Sequence, residues 1–449
     1  MSYRYLPMTE ADKQAMLETI GVSSSEELFS DIPEDVRMKT ALKLPEKMSE
    51  PDLLRYMEQL AAKNKNIQEM PSFLGAGVYD HYIPSIVDHV ISRAEFYTAY
   101  TPYQPEISQG ELQAIFEFQT MIAELTGMDV ANSSMYDGGT ALAEAAMLAC
   151  GNTRRKKIIV SKAVHPETRS VIHTYANGQR LDVMEIDCTD GVTDLETLKA
   201  EIDENTAAVL VQYPNFFGQI ERLNDIGTIA HEKNSMFIVS ANPLALAILT
   251  PPGEMGADIV VGEMQPFGIP AQFGGPHCGY FAVKQKFLRK MPGRLVGETT
   301  DKDGRRGFVL TLQTREQHIR REKATSNICS NQALNALAAS VAMTALGKKG
   351  AREMALQNVQ KAHYAKRKFM ENGIRVVYQG PMFNEFVIET TQPVTAINKY
   401  LLEKGMIGGY DLGKVSETYS NQMLVAVTEL SQTEEIDTFV QEVRDMNGE

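Results

Sequence analysis

The 449-residue chain has few cysteines and no long apolar run, and these two absences exclude several classes of protein. The longest apolar helix candidate, residues 333–346, is too short to span a bilayer, and the first residues lack the basic-then-apolar pattern of a signal peptide. Without a C-x-x-C pair, the cysteines are expected to be reduced thiols rather than disulfides or zinc ligands. The sequence therefore predicts a cytoplasmic protein with no metal site. The four cysteines are Cys150, Cys188, Cys278 and Cys329.

A basic surface is missing as well. Lysine and arginine number 44 against 58 aspartates and glutamates, a formal net charge of −14, and the cations are scattered along the chain. Proteins that bind nucleic acids or anionic membranes need a concentrated basic face. We therefore expect neither a nucleic acid nor a membrane as a partner.

Between residues 130 and about 285 the chain alternates apolar strand patterns with helix patterns, which predicts an α/β fold with a mostly parallel sheet. Three parts are expected: an arm of short helices over residues 1–70 that packs across another domain or subunit, a large α/β domain over 71–330, and long connecting helices with a small α+β domain over 331–449. The predicted strands are 157–160, 181–186, 207–212, 236–239, 259–261 and 280–283. The predicted helices between them are 139–150, 166–176, 195–204 and 225–233.

Lysine is absent from the loop over residues 262–279, which leaves the carboxyl end of a predicted strand. Ligands of open α/β sheets bind at such strand ends, and an enzyme that holds pyridoxal phosphate (PLP) as a Schiff base places a lysine in this kind of loop. Gln265 stands there instead. Ser240 ends another strand, at a point where a PLP enzyme places an acid against the pyridine nitrogen. His165 follows a third strand, where it either stacks on a flat ring or is merely solvated or hydrogen-bonded.

A turn rich in glycine and small polar residues precedes the alanine-rich helix predicted at 139–150. Its backbone N–H groups and the positive end of the helix dipole form a natural phosphate cradle. The alternative is an ordinary N-cap supplied by Asp137 or Thr140. The candidate residues of this turn are Tyr136, Asp137, Gly139 and Thr140.

A second group of candidates lies in the segment 96–110, which two X-Pro bonds hold in an extended conformation. Its tyrosines belong either to a structured surface loop or to the wall of a binding site or interface. A basic stretch over 314–332 is either a solvated helix face or a contact for phosphates or for a neighbour's acids. The candidates of the segment 96–110 are Tyr97, Tyr100, Tyr103, Gln104 and Glu106.

Four blocks together resemble the P-protein of the glycine cleavage system, and more closely the α-type subunit of its split form. They are Tyr-Thr-Ala-Tyr-Thr-Pro-Tyr-Gln-Pro-Glu-Ile-Ser-Gln-Gly at 97–110, Asp-Gly-Gly-Thr-Ala-Leu-Ala-Glu at 137–144, Gln-Pro-Phe-Gly-Ile-Pro…Phe-Gly-Gly-Pro-His at 265–277, and the block that begins Gln-Thr-Arg-Glu-Gln-His at 313–329. The family has the PLP-dependent transferase fold of type I, with a mainly parallel seven-stranded sheet in a large domain and a smaller carboxyl-terminal domain.

The resemblance implies that the PLP lysine lies in the other half of the enzyme, within a His-Lys-Thr-Phe loop. Here the matching residues are Met264-Gln265-Pro266-Phe267, so that Gln265 falls at the lysine position and Ser240 near the acid. No catalytic residue is then expected on this chain. A partner, P-protein subunit 2, would carry PLP in an (αβ)₂ assembly that decarboxylates glycine and passes the aminomethyl group to the lipoyl arm of H-protein.

The resemblance also gives the candidate residues their expected roles. The group Tyr97, Tyr100, Tyr103, Gln104 and Glu106 would line the active site at the subunit interface. A vestigial cofactor pocket would be formed by Tyr136, Asp137, Gly139, Thr140, His165, Ser240 and Gln265.

Two alternatives come from other functional classes. The first is a self-sufficient fold-type I enzyme, an aminotransferase or lyase, that uses a different lysine; Lys162 and Lys284 lie near strand ends. The second is a non-catalytic scaffold or regulatory pseudoenzyme.

Overall fold

The computed structural model describes residues 7–272, 274–324, 326–328 and 331–448. The chain divides into two compact units, one ending at Lys65 and the other beginning at Asn66. Cys329 and Ser330 lie outside the described residues. No helix in the described part of the chain is long and apolar enough to cross a membrane.

The helices have the following bounds. They are α1 (Glu10–Ile20), α2 (Glu50–Ala61), α3 (Ile86–Ile91), α4 (Ala94–Tyr97), α5 (Gln109–Thr126), α6 (Gly138–Thr153), α7 (Pro166–Gln179), α8 (Leu195–Glu201), α9 (Leu223–Glu232), α10 (Gln317–Arg320), α11 (Ala333–Glu371), α12 (Val394–Glu403) and α13 (Thr433–Asn447).

The strands are β1 (Val130–Ala131), β2 (Lys157–Ser161), β3 (Asp182–Ile186), β4 (Cys188–Thr189), β5 (Val192–Thr193), β6 (Thr206–Tyr213), β7 (Met236–Ala241), β8 (Ile259–Glu263), β9 (Gly279–Val283), β10 (Leu295–Thr300), β11 (Arg306–Thr311), β12 (Glu385–Glu389), β13 (Tyr410–Asp411) and β14 (Gln422–Ala426).

The first unit consists of short helices with few buried side chains. Thr9 and Asp12 form a capping box at the start of α1, and the helix ends at Gly21 in the left-handed conformation. Ser49 caps α2, which has a proline in its first turn. Among the described residues of this unit only Leu17 is buried, so the unit has almost no core of its own.

The second unit is built on a seven-stranded sheet with the order β1-β9-β8-β7-β6-β2-β3. Neighbouring strands from β3 to β8 are parallel, whereas β9 is antiparallel to both of its neighbours. Alternate residues of β6 enter two different cores, Val209 and Val211 on one face and Ala208 and Leu210 on the other. Because both faces are covered, the strands read as continuous apolar runs. The predicted fold class is confirmed.

A smaller antiparallel sheet, in the order β12-β14-β13, lies towards the carboxyl terminus. The second half of α11, together with α12 and α13, covers it, and Phe369, Phe386 and Phe439 lie in the shared core. Gly347 interrupts α11 with a φ of 60°, which separates the two long helices that the sequence predicts. The predicted division of the chain at residues 70 and 330 stays a prediction.

The hairpin β10–β11 is an element that the sequence analysis did not predict. Gly304, with a φ of 78°, follows Asp301 in a turn between the two strands, and the main-chain N–H of Gly304 donates to the Asp301 carbonyl. The outer half of β10, residues 298–300, is exposed, so the apolar run that marks the central strands is missing there.

Candidate functional site

The loop that follows β8 is anchored by the side chain of Gln265. Its Nε2 donates to the carbonyl oxygens of Tyr79 (2.8 Å) and Ile269 (2.9 Å), and its Oε1 accepts from the Tyr79 N–H (3.0 Å). The side chain is buried, with 1% of the residue's surface exposed. Both hydrogens of the amide are therefore committed to the main chain of this subunit.

A cavity of about 330 Å³ lies at the carboxyl ends of β6, β7 and β8. Four of the seven residues predicted for a vestigial cofactor pocket line it: Asp137, Gly139, His165 and Ser240. Strand ends and helix starts meet here because connections of a parallel sheet cross over from one end to the other. The strand and helix ends that the sequence singled out therefore meet around one cavity.

The other three predicted residues have different surroundings. Thr140 belongs to the cap of α6, where its N–H donates to Asp137 Oδ1 (2.7 Å). Tyr136 packs against the core beside α6 and is half-buried. The Gln265 side chain donates to the carbonyl oxygens of Tyr79 and Ile269.

In the first turn of α6, main-chain N–H groups already donate to carboxyl groups of this chain. Asp137 and Thr140 form a capping box, and the Gly138 N–H donates to Glu263 Oε2 (3.0 Å). The other oxygen of Glu263 accepts from the Cys278 N–H (2.8 Å). Of the two interpretations of this turn, the N-cap by Asp137 is the one observed.

The cavity is acidic. Its lining contains the carboxyl groups of Asp137, Glu167, Glu263 and Glu385, and none of its described lining residues is a lysine or arginine. Burial raises the pKa of Glu263 and of Glu385 to about 7. A phosphate dianion would meet carboxylates here without any side-chain cation. The residues present therefore do not fit PLP.

Glu263 and Glu385 are site residues that sequence reasoning missed. Glu385 Oε1 accepts from the Ala76 N–H (2.8 Å), and its Oε2 accepts from the Tyr79 hydroxyl (2.8 Å). Glu263 carried a signal, since it is an acid at the end of an apolar strand. Glu385 lies at the start of β12, far along the chain, and carried no such signal.

His165 is held by its own chain. It caps α7, where its Nδ1 accepts from the Glu167 N–H (3.2 Å), and its Nε2 lies 3.0 Å from the Ala76 carbonyl oxygen. The ring meets Phe216 edge-on at 4.9 Å between centroids. Burial lowers the pKa of His165, which favours the neutral ring. Stacking of His165 on a cofactor stays a prediction.

The segment 96–110, called the tyrosine segment below, contributes none of its five predicted residues to the lining of this cavity. Tyr97 and Tyr100 are 69% and 77% exposed and line a second cavity of about 150 Å³ with Arg294. Gln104 and Glu106 are also exposed.

Tyr103 is less exposed, at 45%, and contacts charged neighbours. Its hydroxyl accepts from Arg294 Nη2 (3.4 Å), and its ring meets His318 at 5.6 Å between centroids.

Neither lysine considered as an alternative Schiff-base residue reaches the acidic cavity. Lys162 pairs with Asp187. Lys284 donates to the carbonyl oxygen of Gly256 (3.2 Å) and lies 3.6 Å from Asp258 Oδ1.

The seven-stranded, mainly parallel sheet with a cavity at its strand ends is the fold of type I PLP-dependent transferases, which structural neighbours share. Two solved structures share this fold at low identity. They are a sphingosine-1-phosphate lyase of Burkholderia pseudomallei (TM-score 0.67, 15% identity, 92% of this chain and 94% of that one) and a cysteine desulfurase of Thermococcus onnurineus (TM-score 0.63, 16% identity, 90% and 99%).

The chain belongs to the glycine cleavage system P-protein family, whose model matches residues 3–443. It is similar to the probable glycine dehydrogenase (decarboxylating) subunit 1 of Bacillus cytotoxicus, with 70% identity over 443 residues and 99% of each chain covered. The same protein of Bacillus mycoides is 69% identical over an equal span. A crystal structure of an inhibitor-bound glycine decarboxylase (P-protein) superposes with a TM-score of 0.90, at 43% identity, and covers 99% of this chain and 100% of that one.

These relatives confirm the predicted family and the predicted function, a subunit of an oxidoreductase of the glycine cleavage system. They support neither a self-sufficient aminotransferase or lyase nor a scaffold. The family implies PLP in the holoenzyme, and the designation as subunit 1 implies a second subunit.

Proposed function

We propose that this chain is the subunit of glycine decarboxylase that does not bind PLP, and that the partner subunit 2 carries the cofactor. The observation that carries this proposal is Gln265. An amide cannot form an imine, and both hydrogens of this one are already donated to Tyr79 and Ile269.

The cavity supports the same conclusion independently of Gln265. It offers no side-chain cation for a phosphate among its described lining residues. Ser240 offers a hydroxyl where a protonated pyridine nitrogen needs an acid. Two further chemical requirements of a PLP site are therefore unmet in this cavity.

We further propose that the tyrosine segment completes the wall of the partner's active site in an (αβ)₂ assembly. The exposed side chains of Tyr97 and Tyr100 combine contact area with a polar hydroxyl, a combination that is enriched at interfaces. Glycine and the lipoyl arm of H-protein would be bound against this wall, in the cytoplasm.

The experiment adds PLP to the purified chain and separately assays glycine–bicarbonate exchange. No visible aldimine band is expected from the chain alone, and exchange is expected only when the chain and subunit 2 are combined. A band that borohydride fixes to a lysine of this chain would refute the proposal. Full exchange by subunit 2 alone would instead indicate a scaffold.

The variant Gln265→Lys separates the missing lysine from the unsuitable cavity. We expect it to form no aldimine band, because the cavity beside the loop is acidic and offers no side-chain cation for the phosphate among its described lining residues. Gln113→Lys, on the exposed face of α5, is the matched control for the added charge. A band in Gln265→Lys alone would contradict the argument from the cavity.

A further inference from the structure

The amino terminus of α6 carries a carboxylate that comes from another part of the chain. The N–H groups in the first turn of a helix have no partner within the helix and, together with the helix dipole, attract anions. Thr140 N–H is taken by the local cap Asp137. Gly138 N–H is taken by Glu263, which lies 125 residues further along the chain.

Glu263 is a bridge rather than a simple cap. It is the last residue of β8, and its two oxygens accept from Gly138 at the start of α6 and from Cys278 next to β9. One carboxylate therefore joins three elements at the edge of the cavity. Both of its partners are main-chain donors whose directions cannot change.

The elements that Glu263 joins are in close contact. A Cβ on Gly138 would lie 3.1 Å from the main-chain carbon of Gly262 and 3.2 Å from the Cβ of Glu263. A Cβ on Gly279 would lie 2.3 Å from the carbonyl oxygen of Asp137. On the side that faces β8 and β9, the first turn of α6 is therefore packed directly against the chain itself.

We propose that the Glu263 carboxylate is a built-in anion that occupies the anion site at the amino terminus of α6 and closes it to the phosphate of a cofactor. This inference rests on the proposed function, because it explains how a subunit without PLP satisfies a helix terminus at the strand ends. Glu263 would then take the place of an external anion at the helix terminus, which is more than burial of an acid alone requires.

Glu385 provides a matched control in the same cavity. It is also a buried glutamate whose pKa burial raises to about 7, but one of its partners is the hydroxyl of Tyr79, which is able to donate or accept. A glutamine at position 385 therefore satisfies both partners. A glutamine at position 263 presents one acceptor and one donor to two fixed donors, so that one N–H is left without an acceptor.

The test compares the wild type with Glu263→Ala and Glu385→Gln in thermal unfolding, with inorganic phosphate against sodium chloride at equal ionic strength. Removing the carboxylate frees the Gly138 N–H at the helix terminus and the Cys278 N–H next to β9, so phosphate, compared with chloride, is expected to raise the melting temperature of Glu263→Ala by roughly 1 to 3 °C more than it raises that of the wild type. The wild type and Glu385→Gln are expected to show only the same small general stabilisation by phosphate. An equal phosphate response in all three proteins, including none, would overturn the proposal.

A second comparison applies even where Glu263→Ala does not fold. At pH 8 both glutamine variants lose a buried charge, but Glu263→Gln is expected to gain less stability over the wild type than Glu385→Gln, because its amide leaves one main-chain N–H without an acceptor. A gain by Glu263→Gln equal to or larger than that of Glu385→Gln would overturn the role of Glu263. Neither measurement uses PLP or activity, so failure here is distinct from an aldimine band, which would refute the proposed function instead.

Discussion

Gln265, which the resemblance places at the PLP-lysine position, holds the loop after β8 in place. Its amide makes three hydrogen bonds, two of them to Tyr79, and so ties the loop after β8 to the segment before α3. Each such bond contributes about 1 kcal/mol, and a buried donor left without a partner costs more. Substitution of Gln265 by a residue without an amide is therefore expected to destabilise this loop.

The buried glutamate Glu385 makes stability depend on pH. Burial raises its pKa to about 7 in the folded chain, against 4.5 for an unperturbed glutamate. The folded state thus keeps this proton while the unfolded state releases it, so the stability contributed by this group is complete below pH 4.5 and is lost as the pH rises to 7.

We predict that Glu385→Gln is more stable than the wild type at pH 8, by at most about 3 kcal/mol, and that the difference vanishes near pH 4.5. Denaturant unfolding at several pH values measures it. Glu403→Gln, an exposed substitution on α12, should leave the pH profile unchanged. Parallel profiles for the wild type and Glu385→Gln would show that this carboxyl group does not titrate as described.

The sequence predicted only part of the acidic cavity. Asp137, His165 and Ser240 were found because each follows a turn or ends a strand, and such positions meet in any parallel sheet. Glu385 was not found, because its contact with Tyr79 joins residues 306 positions apart and depends on how the small sheet packs. Local patterns carry no information on such a contact.

At the scale of elements, the central strands were predictable for a simple physical reason. Strands β6 and β8 are covered on both faces, so they appear in the sequence as unbroken apolar runs between polar turns. The hairpin β10–β11 is partly exposed and mixes polar with apolar residues. Its only clear signal was the Asp-Gly pair at 303–304, which is typical of a hairpin turn.

The tyrosine segment, residues 96–110, carries a hydroxyl whose role can be tested by one substitution. Tyr103→Phe removes a hydroxyl that accepts from Arg294 and that we place in the wall of the partner's active site. We expect the melting temperature of the isolated chain to fall only slightly, because the bond to Arg294 is long (3.4 Å) and Tyr103 is 45% exposed. Glycine–bicarbonate exchange by the assembled enzyme is expected to fall roughly tenfold, the effect of losing one hydrogen bond in the active-site wall.

Tyr364→Phe is the matched control for that substitution. It removes a hydroxyl bonded to Asp437 at 2.8 Å, between α11 and α13, far along the chain from the segment. Exchange should remain at the wild-type rate in this variant. If Tyr103→Phe also keeps the wild-type rate after assembly with subunit 2, the segment is not part of the active-site wall.

In the molecule as a whole, the first unit buries too few side chains for its own packing to account for its stability. Its described residues bury only Leu17, while Leu53, Leu54 and Met57 of α2 are between 48% and 57% exposed. A 12-residue helix with an exposed apolar face is only marginally stable in water without a partner. The arm is therefore expected to bury this face in the assembled enzyme.

Deletion of residues 1–65 tests this expectation. The second unit contains the described hydrophobic core clusters of both sheets, so we expect the shortened chain to fold with a nearly unchanged melting temperature. Burial of three or four apolar side chains is worth several kcal/mol, so the association of the shortened chain with subunit 2 should weaken at least tenfold, measured by sedimentation or titration calorimetry.

Replacing Leu53 and Met57 with serine should also weaken association, since it removes apolar area without shortening the chain. A large fall in the melting temperature of the isolated shortened chain, with association unchanged, would mean that the arm stabilises its own subunit and does not contribute to the interface.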